Sequence, residues 1–381
     1  MIRVNIKPEL LRWARTRARM DAEVLTRKFP LYREWERGEK QPTLKQLEKF
    51  AKAIRVPTGF LFLSSPPDET NPVPDFRTLG SSQIEQPSVD LLDTVYLCQQ
   101  RQEWYRDFAR LNGETKLKFI GSATLESEVE EVAATIRSAL DFDLEKRQAL
   151  PTWTEALRQF IDMAENLGVL VMVSGIVGSN THRRLDPNEF RGFALVEDIA
   201  PVVFINGRDT KSAQMFTLSH ELAHLWLGQS ALSDSNPASV PPNEIEAWCN
   251  RVAAELLVPL AVLREEYSRG EDLSLAVVRL GRRFKVSGLV ILRRIHDAGG
   301  LSERQFREAY EDELKKLKNL KKSQGGDFYP TEISRVGKRF ACALVSSTLE
   351  GGTSFTESFR LLGFRKMKTF RELAKRLGVL P

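Results

Sequence analysis

Residues 217–228 read TLSHELAHLWLG. His220 and His224 stand four apart, and positions i and i+4 of a helix share one face, so two imidazoles can meet one tetrahedral ion at the usual Zn–N distance of about 2.0–2.1 Å. The apolar neighbours Phe216, Leu218, Leu222, Leu225 and Trp226 predict that this helix is buried. Glu221, beside the first histidine, would stand next to the open coordination position, where a carboxylate can take a proton from water. The chain has four histidines, and its composition alone yields only about 0.004 accidental matches to His-Glu-x-x-His.

A catalytic zinc takes three protein ligands and keeps one position open. The next amphipathic stretch, NEIEAWCNRVAAELLVP (residues 243–259), offers Glu244, Glu246 and Glu255. Glu246 is the choice, because Asn250 follows four residues later and can hold the carboxylate or a ligand imidazole from behind. Glu244 sits at the helix start and serves the N-terminal dipole. Glu255 shares no face with Asn250 and reads as a solvated charge.

The two stretches together, FTLSHELAHLWLG and EIEAWCNRVAAELLVP, resemble the ImmA/IrrE family of metallopeptidases, in which the His-Glu-x-x-His helix precedes one of the form E-x-x-x-N-x-x-A-A-x-L-L-x-P. The resemblance covers roughly residues 150–296. It implies a zincin-like domain with His220, His224 and Glu246 as zinc ligands, Glu221 as the base, and a substrate that is itself a helix-turn-helix repressor or a toxin–antitoxin component, cut to release stress or mobile-element genes. WERGEKQPTLKQLEKFAKA near the start looks like the Xre-type helix-turn-helix regulators often fused to such peptidases. FRTLG (76–80) and GGDFYPTEISRVGKRF near the end fit the same fused arrangement.

The rest of the chain is consistent with a protein of this kind. At 381 residues it is too long for one hydrophobic core. The 42% hydrophobic and 28% charged composition is that of a folded globular protein. No apolar run approaches the roughly 20 residues of a membrane helix, and the start lacks a signal-peptide core, so a cytoplasmic location without membrane association is expected. Cys98, Cys249 and Cys342 are odd in number and far apart, which predicts buried thiols rather than a disulfide framework. Residues 1–60 carry 15 basic and 7 acidic side chains, residues 281–381 carry 22 and 11, and the middle is acidic. A basic end is either a phosphate-binding face or a solvated one.

The pattern predicts a predominantly helical α+β protein. Residues 1–63 form an all-helical Xre-like helix-turn-helix domain in which Thr43 caps a helix, 64–81 a Pro-rich linker, 82–296 the zincin-like domain with a helical extension, and 297–381 a basic helical region interrupted by a flexible KKSQGG. VLVMVSG, RGFALVED and PVVFIN predict a small, mostly antiparallel sheet, and RGFALVED is the candidate edge strand for receiving an extended substrate. In the short second helix before Gly38, Tyr32, Arg33 and Arg37 are the plausible DNA contacts, while Glu34 and Glu36 repel phosphate. His182, Arg191 and His296 are available to an oxyanion, but none is singled out. The competing class is a DNA-binding regulator or antitoxin-like protein with a structural or sensory zinc. Glu221 separates the two, since a structural site has no use for a carboxylate beside an open position.

Overall fold

The computed structural model describes residues 3–67, 73–74, 87–233, 243–319 and 328–380. FRTLG, KKSQGG and most of the Pro-rich linker lie outside them. The chain divides into two compact units, Met1–Pro72 with Glu85–Val95, and Val73–Ile84 with Tyr96–Pro381.

The first unit holds helices α1 (Pro8–Arg17), α2 (Ala22–Lys28), α3 (Tyr32–Arg37) and α4 (Leu44–Ile54), then a 3-10 turn at Thr58–Phe62. It is not wholly helical: its first described residue, Arg3, bridges antiparallel to Thr43. Thr43 begins α4 with a full capping box, its hydroxyl accepting from Gln46 N while the Gln46 side chain returns to Thr43 N. Gly38 stops α3 in the left-handed region. Tyr32 and Trp35 turn inward onto Phe50, with the Tyr32 ring stacked at 5.4 Å.

In the second unit α5 (Val89–Leu111, whose last two-thirds lie here), α6 (Val129–Leu140), α7 (Leu144–Ala149) and α8 (Trp153–Asn166) precede strands β1 (Leu170–Ser174), β2 (Gly192–Leu195) and β3 (Val202–Asn206). Helix α9 (Lys211–Leu227), strand β4 (Ala231–Ser233) and α10 (Glu244–Leu257) follow. The remainder is helical: α11 (Leu260–Glu266), α12 (Leu273–Phe284), α13 (Gly288–Asp297), α14 (Glu303–Asn319), α15 (Phe328–Val336), α16 (Lys338–Leu349), α17 (Phe355–Leu362) and α18 (Met367–Arg376). The protein is thus predominantly helical with one small mixed sheet. Among the described residues no helix is long and apolar enough to cross a membrane.

The sheet runs β1-β3-β2-β4, with β1 parallel to β3 and the other two pairings antiparallel. RGFALVED is therefore an interior strand, not an edge. All four residues of β2 are buried, because the chain turns back after α9 and lays β4 along the side that would have been open. The edge strands are β1 and β4, and at β4 the carbonyl of Pro74 already accepts the Leu232 N–H at 2.9 Å.

Helix α9 is the axis of this unit, with every residue from Gln214 to Trp226 buried. It packs on β2 and β3, α8 and α10, and α10 is covered in turn by α6. Thr210 caps its start by accepting from Ala213 N. Its last carbonyls are taken up by a neighbouring loop, Gly121 N donating to Leu225 O and Ala123 N to Trp226 O. Gly228 ends it at φ +71°, and a Cβ there would meet Gly121 Cα at 3.0 Å, so both the backbone sign and the close approach require glycine.

Candidate metal centre

Two consecutive helices bring the site together. On α9 the four-residue spacing puts His220 and His224 on one face, their ring centroids 4.8 Å apart. On α10 the first turn, fixed by Asn243 accepting from Ile245 N and Glu246 N, aims the Glu246 carboxylate at both rings. Glu246 Oε2 lies 3.2 Å from His220 Nε2 and Oε1 lies 3.0 Å from His224 Nε2. The two Nε2 atoms are 3.1 Å apart. Behind His220, its Nδ1 contacts Asn250 Oδ1 at 3.0 Å. An amide oxygen only accepts, so Nδ1 carries a proton, and the neutral ring then presents a lone pair at Nε2.

The donor set fits a small tetrahedral cation. With bonds of about 2.0–2.1 Å, a tetrahedron has edges of about 3.3–3.4 Å; the 3.1 Å between the two Nε2 atoms is close to one such edge, and with one ligand atom from each residue the three groups lie within 4.8 Å of one another. His220, His224 and Glu246 are also the one group of three or more His, Cys, Asp or Glu among the described residues with ligand atoms clustered this tightly. Two imidazoles with one carboxylate suit a transition metal rather than calcium or magnesium, which take oxygen ligands.

The carboxylate and the two imidazoles shift one another's protonation. Burial pushes the Glu246 carboxyl up, but the facing imidazoles outweigh it and hold the group down at about 2. For His220 burial opposes protonation, yet the charge and hydrogen bond of Glu246 win and raise its pKa. His224 goes the other way, lowered chiefly by burial. Burial drives the Glu221 carboxyl up to about 8. His220, Glu221 and His224 are 0% exposed and Glu246 2%, so these charges act in a low-dielectric interior.

Glu221 stands apart from the donor set. Its Oε1 accepts a hydrogen bond from Ser233 on β4, while its Oε2 is buried with no hydrogen-bond partner among the described residues. Ser233 went unread in the sequence: a three-residue strand has too short a pattern to betray itself, and nothing in its spacing ties it to Glu221.

The other glutamates of α10 divide. Glu244 is exposed in the first turn, as the dipole reading expects. Glu255 is not a solvated charge but 5% exposed, paired with Arg294 and accepting from Leu260 N. It faces α13, whose arrival the local sequence does not announce. His182 is exposed, Arg191 pairs with Asp209 at 3.3 Å, and His296 is engaged by Leu301 O and Glu303. A cavity of about 720 Å³ is lined by Asn250, Phe216, Trp248 and Arg251 among others, but by none of His220, Glu221, His224 and Glu246.

In the N-terminal unit Arg33 and Arg37 are exposed on α3, Arg37 paired with Glu39 at 3.1 Å. Tyr32 drops out as a nucleic-acid contact, because it is fully buried with its hydroxyl on Glu36. Of the cysteines, Cys98 and Cys249 are buried and Cys342 is half-buried, all as free thiols.

Residues 164–296 match the family model described as the IrrE N-terminal-like domain, Peptidase_M78. This segment spans β1–β4, α9 and α10, with every residue of the centre. Residues 336–376 match a domain of unknown function, DUF8813. No curated protein matches the chain.

Proposed function

We propose that this chain is a zinc-dependent endopeptidase of the cytoplasm that cleaves a partner transcriptional regulator, a helix-turn-helix repressor or a toxin–antitoxin component, and so controls stress-response or mobile-element genes. The observation that carries the reading is the buried Oε2 of Glu221, which has no hydrogen-bond partner among the described residues, beside a His–His–Glu donor set. The match of residues 164–296 to a peptidase family supports it independently.

His220, His224 and Glu246 would hold the ion, with Asn250 fixing the His220 ring. Zinc bound there would supply Lewis acidity toward a scissile carbonyl and toward water. Glu221 accepts the proton of the attacking water at Oε2 and returns it to the leaving nitrogen. In this reading residues 82–296 perform the chemistry. Residues 1–63, joined by a linker at 64–81, recognise the partner or DNA through an Xre-like helix-turn-helix, with Arg33 and Arg37 as its phosphate contacts. The basic region 297–381 contributes further non-specific contacts.

One observation favours a second reading, a regulator with a structural or sensory zinc: the donor set is closed off to within 2% of exposure. Glu221→Gln decides between them, since the amide keeps the shape and loses the basic oxygen. The endopeptidase reading expects full metal content, unchanged melting temperature and loss of cleavage when the regulators encoded beside this gene are offered as substrates. Cleavage at the parental rate by the variant would refute it.

A further inference from the structure

Strands β2 and β4 put Gly192 directly opposite Ser233, while Gly192 faces Ile205 on its other side. The Glu221 carboxylate rests on this pair. A Cβ on Gly192 would meet Thr217 Cγ2 at 2.5 Å, Phe204 O at 2.8 Å and Glu221 Oε1 at 2.9 Å, so the strand can pass under the carboxylate only as glycine. On the opposing strand the Ser233 hydroxyl donates to the same oxygen, Oε1. Both Ser233 and Glu221 are 0% exposed. Oε2, the other oxygen, has no partner among the described residues.

We infer that Ser233 is the positioning residue of Glu221: by engaging Oε1 over the gap left by Gly192, it fixes the plane of the carboxylate and reserves Oε2 for proton transfer. The inference deepens the endopeptidase reading and rests on it. The two oxygens of a carboxylate are chemically equivalent, and rotation about the last torsion of a glutamate is soft. A single hydroxyl proton serves one of them and breaks the equivalence. Among the described residues Ser233 is the hydrogen-bond donor to Oε1, while Oε2 has none. Anchoring the base to a strand pairing, rather than to its own helix, also ties its aim to β4, one edge of the sheet. A group held within a fraction of an ångström of its working geometry loses rate steeply when its support is removed.

The test uses the full chain loaded with zinc, bearing Ser233→Ala or Ser233→Thr, assayed on the regulator that the parent cleaves. Ser233→Ala is expected to lower kcat by about 10- to 100-fold, with KM, zinc content and melting temperature near parental values, and Ser233→Thr, which keeps the hydroxyl, to recover most of the loss. A parental kcat in Ser233→Ala, or a Thr variant as poor as Ala, overturns the inference. Chemical unfolding of Ser233→Ala, Glu221→Gln and the double variant gives a readout that needs no substrate: the inference expects the two changes to be non-additive by at least about fivefold in the unfolding constant, and additivity overturns it. A parent that cleaves no regulator, or a Glu221→Gln variant as active as the parent, instead removes the endopeptidase reading and the catalytic purpose of Ser233 with it.

Discussion

Helix α10 carries a buried carboxylate near each end, and the two are neutralised differently. Glu246, in the first turn, has the favourable end of the helix dipole and two imidazoles. Glu255, in the last turn, has the unfavourable end, and is met by the permanent charge of Arg294, which also donates to Val258 O at 2.9 Å. A carboxylate that folds against its own guanidinium needs nothing further and is part of the scaffold. One that folds against two neutral-capable lone-pair donors creates a demand for a cation. The difference, not burial alone, sets the two glutamates apart: the candidate metal centre lies at one end of α10 and a clamp to α13 at the other.

The largest expected effect breaks the scaffold end. Arg294→Met leaves Glu255 buried without its cation and should cost about 3–5 kcal/mol in chemical unfolding, while zinc content per folded chain stays parental. Loss of metal at parental stability would mean the two ends had been assigned the wrong way round.

A third buried glutamate sharpens the contrast. Glu165 has no side-chain ion pair among the described residues; its Oε1 accepts the Arg339 backbone N–H at 3.2 Å, while the Arg339 guanidinium donates to its main-chain carbonyl at 3.3 Å. Burial lifts its carboxyl to about 7 from the ordinary 4.5. The folded chain therefore binds a proton that the unfolded chain releases, so this group's contribution to stability is present below about pH 4.5 and is lost as pH rises through 7. Glu165→Gln should be near neutral at pH 4.5 and stabilising at pH 8, by on the order of 2–3 kcal/mol. Equal effects at both pH values would show that Glu165 is charged throughout.

At the ligand end, Asn250→Ala frees the His220 ring and should weaken zinc binding by about 10- to 100-fold in a competitive chelator titration, with Glu255 and its clamp unaffected. Unchanged affinity would remove Asn250 from the site. The smallest effect belongs to an ion pair in water: Arg37 and Glu39 are 63% and 53% exposed, and Arg37→Ala should move unfolding by less than about 0.5 kcal/mol. If α3 meets DNA, the same variant and Arg33→Ala will show instead as weaker binding with a shallower salt dependence.

Much of the centre was legible because helix periodicity is rigid over short spans: a four-residue step puts His220 and His224 together wherever the helix goes, and the step from Glu246 to Asn250 does the same on the next helix. What joins separate elements was not. Glu255 was misread because its partner arrives from residue 294, and Ser233 went unread because strand pairing, not spacing, carries it to Glu221. Strand β2 was recognised as a strand, but its place in the sheet depended on β4, whose three residues have no periodicity to detect. Tyr32 follows the same rule, since only tertiary packing on Phe50 shows that it points inward.

The most direct test is the metal content of the purified full chain by elemental analysis, beside His220→Ala and Glu246→Gln. One zinc per chain is expected in the parent and a marked loss in both variants, with Arg294→Met retaining the ion wherever it folds. A metal-free parent exposed to zinc, or a Glu246→Gln chain that holds zinc as tightly as the parent, would contradict this expectation.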